Sequence, residues 1–184
     1  MVGTAIDMSH VIRRFERQDR DAMLGFAGSL PEHDLLFLGR DLRHPRVIEA
    51  WQQAIVDGWI DSLIAEDEGA VVGSAALVRD PLGWSGHVGE VRLLVSPERR
   101  GAGLGRDLLE AIFAIAHAHG LTKLTAAMTT DQQGSIALFE SLGFRAEAML
   151  KDQVRGRDGG RHDLAILALD VDRARRQHQA FGLE

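Results

Sequence analysis

Short apolar runs recur along the chain and predict alternating strands and helices. Stretches dense in β-branched and aliphatic residues are typical of strands, and they lie at residues 11–15, 62–66, 70–78, 88–95, 123–128, 146–154 and 163–169. Apolar positions at helical spacing predict helices at residues 19–27, 45–56, 103–119 and about 134–142. Turns are predicted at residues 67–69 and 155–161. The predicted fold class is therefore α/β (α+β), with a mixed, mostly antiparallel sheet.

The segment between the fourth predicted strand and the helix after it is rich in glycine. It reads SPERRGAGLGRDLLEAI over residues 96–112, with Gly101, Gly103 and Gly105 at its centre. Because glycine has no Cβ, backbone N–H groups here can approach a ligand closely. They also open a helix, whose N-terminal dipole favours an anion. The segment therefore predicts a binding site for a phosphate or pyrophosphate group.

The spacing of these glycines excludes two common phosphate loops. A nucleoside triphosphate loop ends in Gly-Lys-Ser/Thr, whereas Arg106 and Asp107 follow Gly105. A dinucleotide fingerprint needs its third glycine one residue later, and an acidic residue about 20 positions downstream. What the chain offers instead is Arg-x-x-Gly-x-Gly, formed by Arg100, Gly103 and Gly105 directly after a strand.

This glycine pattern resembles the pyrophosphate-binding motif of the GNAT superfamily of acyl-CoA-dependent N-acetyltransferases. A second match lies downstream, where QQGSIALFESLGF over residues 132–144 resembles that family's N-x-x-A-I-x-L-Y-x-K-x-G-F segment. The two motifs have the order and separation of the family. The resemblance implies a single-domain GNAT fold over residues 9–170, preceded by a tail, 1–8, and followed by an extension, 171–184. It also implies a seven-stranded sheet with helices on both faces and with strands four and five splayed apart.

The resemblance assigns acetyl-CoA as the cosubstrate and implies where it binds. The backbone of Leu93, Leu94 and Val95 would hydrogen-bond to the pantetheine arm as an added strand does. The pyrophosphate would be held by the glycine loop, whose expected members are Arg100, Gly101, Ala102, Gly103, Leu104, Gly105 and Arg106. Gln132 stands where the family has an asparagine that often contacts the cofactor, and Phe139 is expected beside it.

Phe139 also marks a departure from the family. It occupies the place of the tyrosine that usually protonates the departing thiolate, and the chain contains no tyrosine. A thiol of ordinary pKa near 8.5 leaves without full protonation, so transfer does not require this group. Ser135, Ser141 or a bound water could replace it.

Two residues are candidates for the base that takes a proton from the acceptor amine. Glu90 is the first, because several family members place a base glutamate on strand four upstream of the splay. Strand alternation puts Glu90, Arg92 and Leu94 on one face, so an ion pair between Glu90 and Arg92 is the competing interpretation. His87 is the second, since its ordinary pKa lies near neutrality, and its alternative is an exposed loop histidine.

The sequence gives conflicting indications about the acceptor. In the family the acceptor site is usually built from the first two helices, their connecting loop and the strand six to seven turn. Here that loop reads PEHD at residues 31–34, and the acidic excess between Glu32 and Glu90 would attract a cationic amine. Arg155, Arg157 and Arg161 in the predicted turn would instead bind a carboxylate. The acidic residues and the arginines could each also be an ordinary solvated surface. The three tryptophans are expected in the core or at an interface, and they are Trp51, Trp59 and Trp84.

Composition limits the remaining function classes. The formal net charge is −6, which argues against sequence-independent nucleic-acid binding. The chain has no cysteine, so disulfides and thiolate metal sites are excluded, and no metal is expected. No apolar run reaches the roughly 18 residues of a membrane span, so a cytoplasmic protein without a membrane partner is expected. A homodimer is compatible with the resemblance.

Together these features predict acetyl transfer from acetyl-CoA to a primary amine by direct attack in a ternary complex. The acceptor would be a small amine, an amino acid, or a lysine or N-terminal amine of a protein. Two alternatives stay open. One is a sensor or partner-binding module that binds acyl-CoA without transferring the acyl group, because Phe139 replaces the tyrosine. The other is a different enzyme class in which the glycine loop holds another phosphate ligand.

Overall fold

The computed structural model describes residues 10–173, which form seven strands and four α-helices around one sheet. The strands are β1 (Val11–Arg14), β2 (Ile60–Asp67), β3 (Ala70–Arg79), β4 (Val88–Val95), β5 (Lys123–Thr129), β6 (Arg145–Arg155) and β7 (Arg161–Asp170). The helices are α1 (Arg20–Ser29), α2 (Pro45–Val56), α3 (Leu104–Ala118) and α4 (Gln133–Ser141). The predicted tail, 1–8, and all but 171–173 of the predicted extension lie outside the described residues, and the predicted domain boundaries stay predictions.

The seven strands form one sheet in the order β1-β2-β3-β4-β5-β7-β6. Every neighbouring pair is antiparallel except β4 and β5, which run parallel. A parallel neighbour needs a crossover connection, and α3 supplies it between β4 and β5. The predicted mixed, mostly antiparallel sheet of the GNAT fold is therefore confirmed.

The two parallel strands separate part of the way along their length. They are paired at only three positions, and the last of these joins Glu90 to Thr125. Beyond that point β4 continues to Val95 beside β3, while β5 continues to Thr129 beside β7. The predicted splay is thus present, and it opens a gap in the middle of the sheet.

The helices cover both faces of the sheet and bury two apolar clusters. The helices α3 and α4 bury one cluster, whose members include Leu108, Ile112 and Phe144. The helices α1 and α2 bury the other, which includes Phe26 and Ile48. Side chains of β4 point to opposite faces of the sheet, so the strand contributes to both clusters. Val91 points into the first cluster and Leu94 into the second.

A short 3-10 segment that the sequence did not predict lies between α1 and α2. It spans Glu32–Leu38 and buries Leu35 and Leu38 in the cluster beneath α1 and α2. Its LLFL run has no helical or strand period, so pattern reasoning predicted only a loop. This segment forms one wall of the cavity that runs through the gap between β4 and β5.

Candidate functional site

A cavity of about 700 Å³ runs through the gap between β4 and β5. On one face of the sheet it is bounded by the start of α3 and by α4, and on the other by the Glu32–Leu38 segment. Its lining residues on those two sides include Gly103, Leu138 and Phe139, and Leu30, His33 and Phe37. The cavity therefore joins the two faces of the sheet, and its size suits a small-molecule ligand.

The edge of β4 turns the backbone groups of two residues towards this cavity. The N–H of Ser96 donates to the carbonyl of Val72 on the β3 side at 3.0 Å. Because backbone groups in an antiparallel pair alternate in direction, those of Leu94 face β3, and those of Leu93 and Val95 face the gap. The expectation of a backbone hydrogen bond from Leu94 is therefore corrected. Leu94 is still among the residues that line the cavity, and its side chain belongs to the cluster under α1 and α2.

The glycine loop supplies backbone donors at one end of the cavity. Gly101 and Gly103 have φ angles of 76° and 93°, which residues with a Cβ rarely adopt. The N–H groups in the first turn of a helix have no acceptors within the helix. The N-cap of α3 is Gly103, which has no side chain to accept from them. Unpaired donors at the positive end of a 15-residue helix form a site for an anion.

Position 105 requires a glycine because α3, α4 and β4 come close together there. A Cβ at this position would lie 3.0 Å from Leu138 of α4 and 3.5 Å from Leu93 of β4. The absence of a side chain lets α3, α4 and β4 pack closely and keeps the loop open to the cavity. A pyrophosphate group therefore fits the observed loop, and Gly101, Gly103, Gly105 and Arg106 line the cavity there.

The other predicted members of the loop have different positions. Leu104 is buried in the cluster under α3, and Ala102 is exposed. The guanidinium of Arg100 donates to Asp34 at 2.6 Å and to the carbonyl of Val95 at 3.1 Å. Arg100 therefore ties the loop to the Glu32–Leu38 segment and occupies one of the carbonyls that face the gap.

The helix α4 forms the opposite wall of the cavity. The side-chain carbonyl of Gln132 accepts a hydrogen bond from the N–H of Thr129 at 3.1 Å, which fixes the amide at the end of β5. Phe139 is buried, with its ring edge-on to Phe144 at 5.0 Å. Ser135 lines the cavity. Ser141 instead accepts from Arg106 and donates to Leu138, so Ser135 is the better placed of the two serines.

The two candidate bases lie apart from the described cavity lining. Glu90 accepts a hydrogen bond from Arg92 at 2.8 Å, so the ion pair predicted as its alternative is present. It shares a strand face with Leu94, about 13 Å along β4. His87 is exposed before β4, at the end of the strand opposite the cavity. It lines a separate hollow with Lys123, and the structure does not bring it to the site.

Charged residues connect the Glu32–Leu38 segment with the turn between β6 and β7. Arg157 donates to Asp41 at 2.5 Å and through its backbone N–H to Glu32 at 2.7 Å. Arg43 also bonds to both carboxylates. Arg157 is therefore already paired, whereas Arg155 and Arg161 lie opposite each other where β6 meets β7. These contacts hold the turn over the side of the cavity that faces Glu32–Leu38.

We expect acid to weaken this charged connection. The side-chain hydrogen bond from Arg43 outweighs burial and lowers the pKa of Asp41 from 3.8 to about 2. A depressed folded-state pKa stabilises the protein above the unfolded value and loses this effect as pH falls from about 4 towards 2. The melting temperatures of the protein and of Asp41→Asn should therefore differ at neutral pH and converge near pH 2. A constant difference across that range would contradict the assignment.

Four polar side chains that the sequence did not bring together meet beside the cavity. His33 Nε2 lies 3.0 Å from Asp131 Oδ1 and 3.1 Å from the hydroxyl of Thr129. The ring of His162 stands edge-on to His33 with centroids 4.9 Å apart. Burial raises the pKa of Asp131, but hydrogen bonds from Thr129 and His33 outweigh it and lower that pKa overall. No spacing signal predicts the cluster, because its residues come from three distant segments.

The tryptophans do not contribute to this cavity. Trp51 and Trp59 line another hollow of about 480 Å³ between α2 and the sheet, next to Arg92. Trp84 is fully exposed in the loop before β4. Within residues 10–173, no helix is both long and apolar enough to cross a membrane.

The sequence is similar to the sequences of known acetyltransferases. The family model described as Acetyltransferase (GNAT) family matches residues 19–144. An L-amino acid N-acyltransferase of Escherichia coli (strain K12) is 32% identical over 135 residues, which cover 72% of this chain and 77% of that protein. An L-methionine sulfoximine/L-methionine sulfone acetyltransferase of Pseudomonas paraeruginosa is 32% identical over 129 residues, with 69% and 74% covered.

Solved structures agree on the fold. An acetyltransferase of the GNAT family from Streptococcus pneumoniae superposes with a TM-score of 0.75 at 20% identity, covering 88% of this chain and 99% of that one. An acetyltransferase from Salmonella typhimurium, solved with its cofactor acetyl-CoA, gives a TM-score of 0.74 at 25% identity, with 89% and 95% covered.

Proposed function

Since the chain belongs to the GNAT acetyltransferase family, we propose that it transfers the acetyl group of acetyl-CoA to the primary amine of an amino acid or a close analogue. The observation that carries the proposal is the cavity through the splayed strands, with unpaired backbone donors at one end. Membership in this family removes the alternative of an unrelated enzyme class. Two relatives named for acting on amino acids support the acceptor class.

The residues of this chain would hold the cosubstrate along the face that carries α3 and α4. Bound acetyl-CoA would supply an activated acyl group on a thiolate leaving group. The N–H groups at the start of α3 would bind its pyrophosphate, and the backbone of Leu93 and the N–H of Val95 would bind its pantetheine amides, since the carbonyl of Val95 accepts from Arg100. Gln132 would contact the same ligand with its side-chain amide. Ser135 or a water would assist the departing thiolate, since Phe139 has no hydroxyl.

The acceptor would enter from the other face of the sheet, beside the Glu32–Leu38 segment. Leu30, Phe37 and Leu94 give that entrance apolar walls. The β6–β7 turn lies above it, and we assign its Arg155 and Arg161 to the acceptor carboxylate, because Arg157 is paired with Asp41. A cytoplasmic location and a homodimer stay predictions.

An amine panel tests the function and the acceptor class together. Thiol release from acetyl-CoA would be measured with free amino acids, with the corresponding amino acid amides, and with polyamines. We expect the free acids to react fastest, because the amides lack the carboxylate. Faster reaction of polyamines would contradict the acceptor class. Silence across the panel together with acetyl-CoA binding by calorimetry would instead favour an acyl-CoA sensor, the alternative that Phe139 supports.

Glu90 stays our candidate for the base, acting through water along the face it shares with Leu94. Glu90→Gln should lower the rate of thiol release about tenfold at neutral pH, at the low end for a general base because a chain of waters would carry the proton. Acetyl-CoA affinity should hardly change.

Arg92→Gln is the matched control, because it breaks the same ion pair and leaves the carboxylate in place. Equal losses of rate in the two variants would mean that the ion pair, rather than the base, is what matters.

A further inference from the structure

Three side chains with metal-ligand atoms converge where the Glu32–Leu38 segment meets the sheet. They are His33 of that segment, Asp131 of the loop after β5, and His162 of β7. One ligand atom from each lies within 4.8 Å of the other two. Among the described residues, this is the one group of three or more histidines and acidic residues with that property.

The spacing is close to what a bound ion requires. Bonds of about 2.0–2.2 Å to imidazole nitrogen or carboxylate oxygen place the ligands of a tetrahedral Zn²⁺ roughly 3.3 Å apart. His33 Nε2 and Asp131 Oδ1 are 3.0 Å apart. The ligand atom of His162 lies within 4.8 Å of the other two, so a displacement of about 1–2 Å brings it to the spacing of a third ligand.

The surrounding structure holds the three segments together without an ion. The buried hydroxyl of Thr129 lies 3.1 Å from His33 Nε2 and holds that ring while no metal is bound, and a metal ion on Nε2 would replace this hydrogen bond. The N–H of Thr130 donates to the carbonyl of Asp163 at 3.2 Å, which joins the neighbours of Asp131 and His162. The three segments that carry the ligands are therefore neighbours before any metal binds, and His162 moves to complete the site.

We propose that His33, Asp131 and His162 form a binding site for a divalent transition metal ion, with Zn²⁺ as the natural occupant. Two imidazoles and one carboxylate suit Zn²⁺, Co²⁺ or Ni²⁺, whereas Mg²⁺ and Ca²⁺ prefer oxygen ligands. The other histidine–carboxylate ion pairs of the described residues, His10 with Asp107 and His119 with Asp61, each contain a single histidine.

A metal at this position would affect the entrance proposed for the acceptor. His33 and Asp131 line the cavity, whereas His162 does not. An ion that binds all three would place a positive charge in the path of a cationic amine. We expect bound Zn²⁺ to slow acetyl transfer, and this part rests on the proposed function.

Metal binding is measured first, without acetyl-CoA or acceptor. The chelator-treated protein is titrated with Zn²⁺ by calorimetry and with Co²⁺ by visible absorption, and Mg²⁺ serves as the comparison. We expect one Zn²⁺ per chain, tetrahedral Co²⁺ bands and no response to Mg²⁺. His33→Ala and His162→Ala should each weaken Zn²⁺ binding at least tenfold, whereas His117→Ala, an exposed histidine of α3, should not.

Two readouts keep the result decisive. Nitrogen NMR of the unmodified protein reports which histidine rings bind Zn²⁺, so the test does not depend on the variants folding. No binding at 0.1 mM Zn²⁺, or unchanged affinity in both histidine variants, would overturn the site. In the thiol-release assay, Zn²⁺ should slow the protein but not His162→Ala. Equal slowing of the two would overturn the inhibitory role and leave the metal site standing.

Discussion

Gly103→Val should weaken acetyl-CoA binding about a hundredfold. Gly103 caps α3 at a φ of 93°, and a β-branched residue there costs roughly 1–2 kcal/mol unless the backbone moves. If the backbone moves, the N–H groups of the first turn lose their common direction. Each hydrogen bond to a charged group contributes about 1.5–3 kcal/mol, so losing one or two accounts for about two powers of ten. Calorimetry with acetyl-CoA measures the change.

The other end of the same helix provides a matched control. Gly120 follows α3 with a φ of 69°, and a Cβ there would meet nothing within 4 Å. Gly120→Val therefore introduces comparable backbone strain and should lower the melting temperature by a similar amount. Its acetyl-CoA affinity should stay that of the parent protein. If both variants lose affinity equally, the loss comes from destabilising α3 and not from the loop donors.

This contrast depends on a loop that the sequence predicted well. Three glycines between a strand run and a helix run form a local pattern. Such a pattern can be recognised in the sequence because it involves only residues that are close together in the chain. The same holds for α2 and β4, whose predicted limits match Pro45–Val56 and Val88–Val95. Local sequence did not indicate that β4 and β5 are neighbours, and the resemblance to a family was needed to predict that they lie side by side and splay apart.

Residues that act across long sequence separations were harder to predict. Arg157 looked available for an acceptor carboxylate, but it is paired with Asp41, 116 positions away. Leu94 looked able to offer backbone groups to the gap, but the register with β3 turns them away. His33, Asp131 and His162 gave no signal at all, since only the packing of the Glu32–Leu38 segment against the sheet makes them neighbours.

Phe144→Ala should lower the free energy of unfolding by about 3–5 kcal/mol, the usual cost of removing a buried phenylalanine. Phe144 is fully buried between α3 and α4. Its ring stacks on Phe113 at 6.0 Å and supports the edge of Phe139 at 5.0 Å. Because Phe139 forms part of the cavity wall, the space left by the mutation should also let that wall move and reduce acetyl-CoA affinity.

Phe15→Ala separates the two effects, because Phe15 belongs to the apolar cluster under α1 and α2 and is only 6% exposed. Urea unfolding should show a loss of stability comparable to that of Phe144→Ala, while calorimetry should show acetyl-CoA affinity near that of the parent protein. If Phe144→Ala is destabilised but binds acetyl-CoA normally, the contact of Phe144 with the Phe139 ring is not needed to keep Phe139 in the cavity wall. A loss of stability below about 1 kcal/mol would instead mean that neighbouring side chains fill the space. Normal binding by Phe144→Ala would mean that acetyl-CoA affinity does not depend on a rigid Phe139 in the cavity wall.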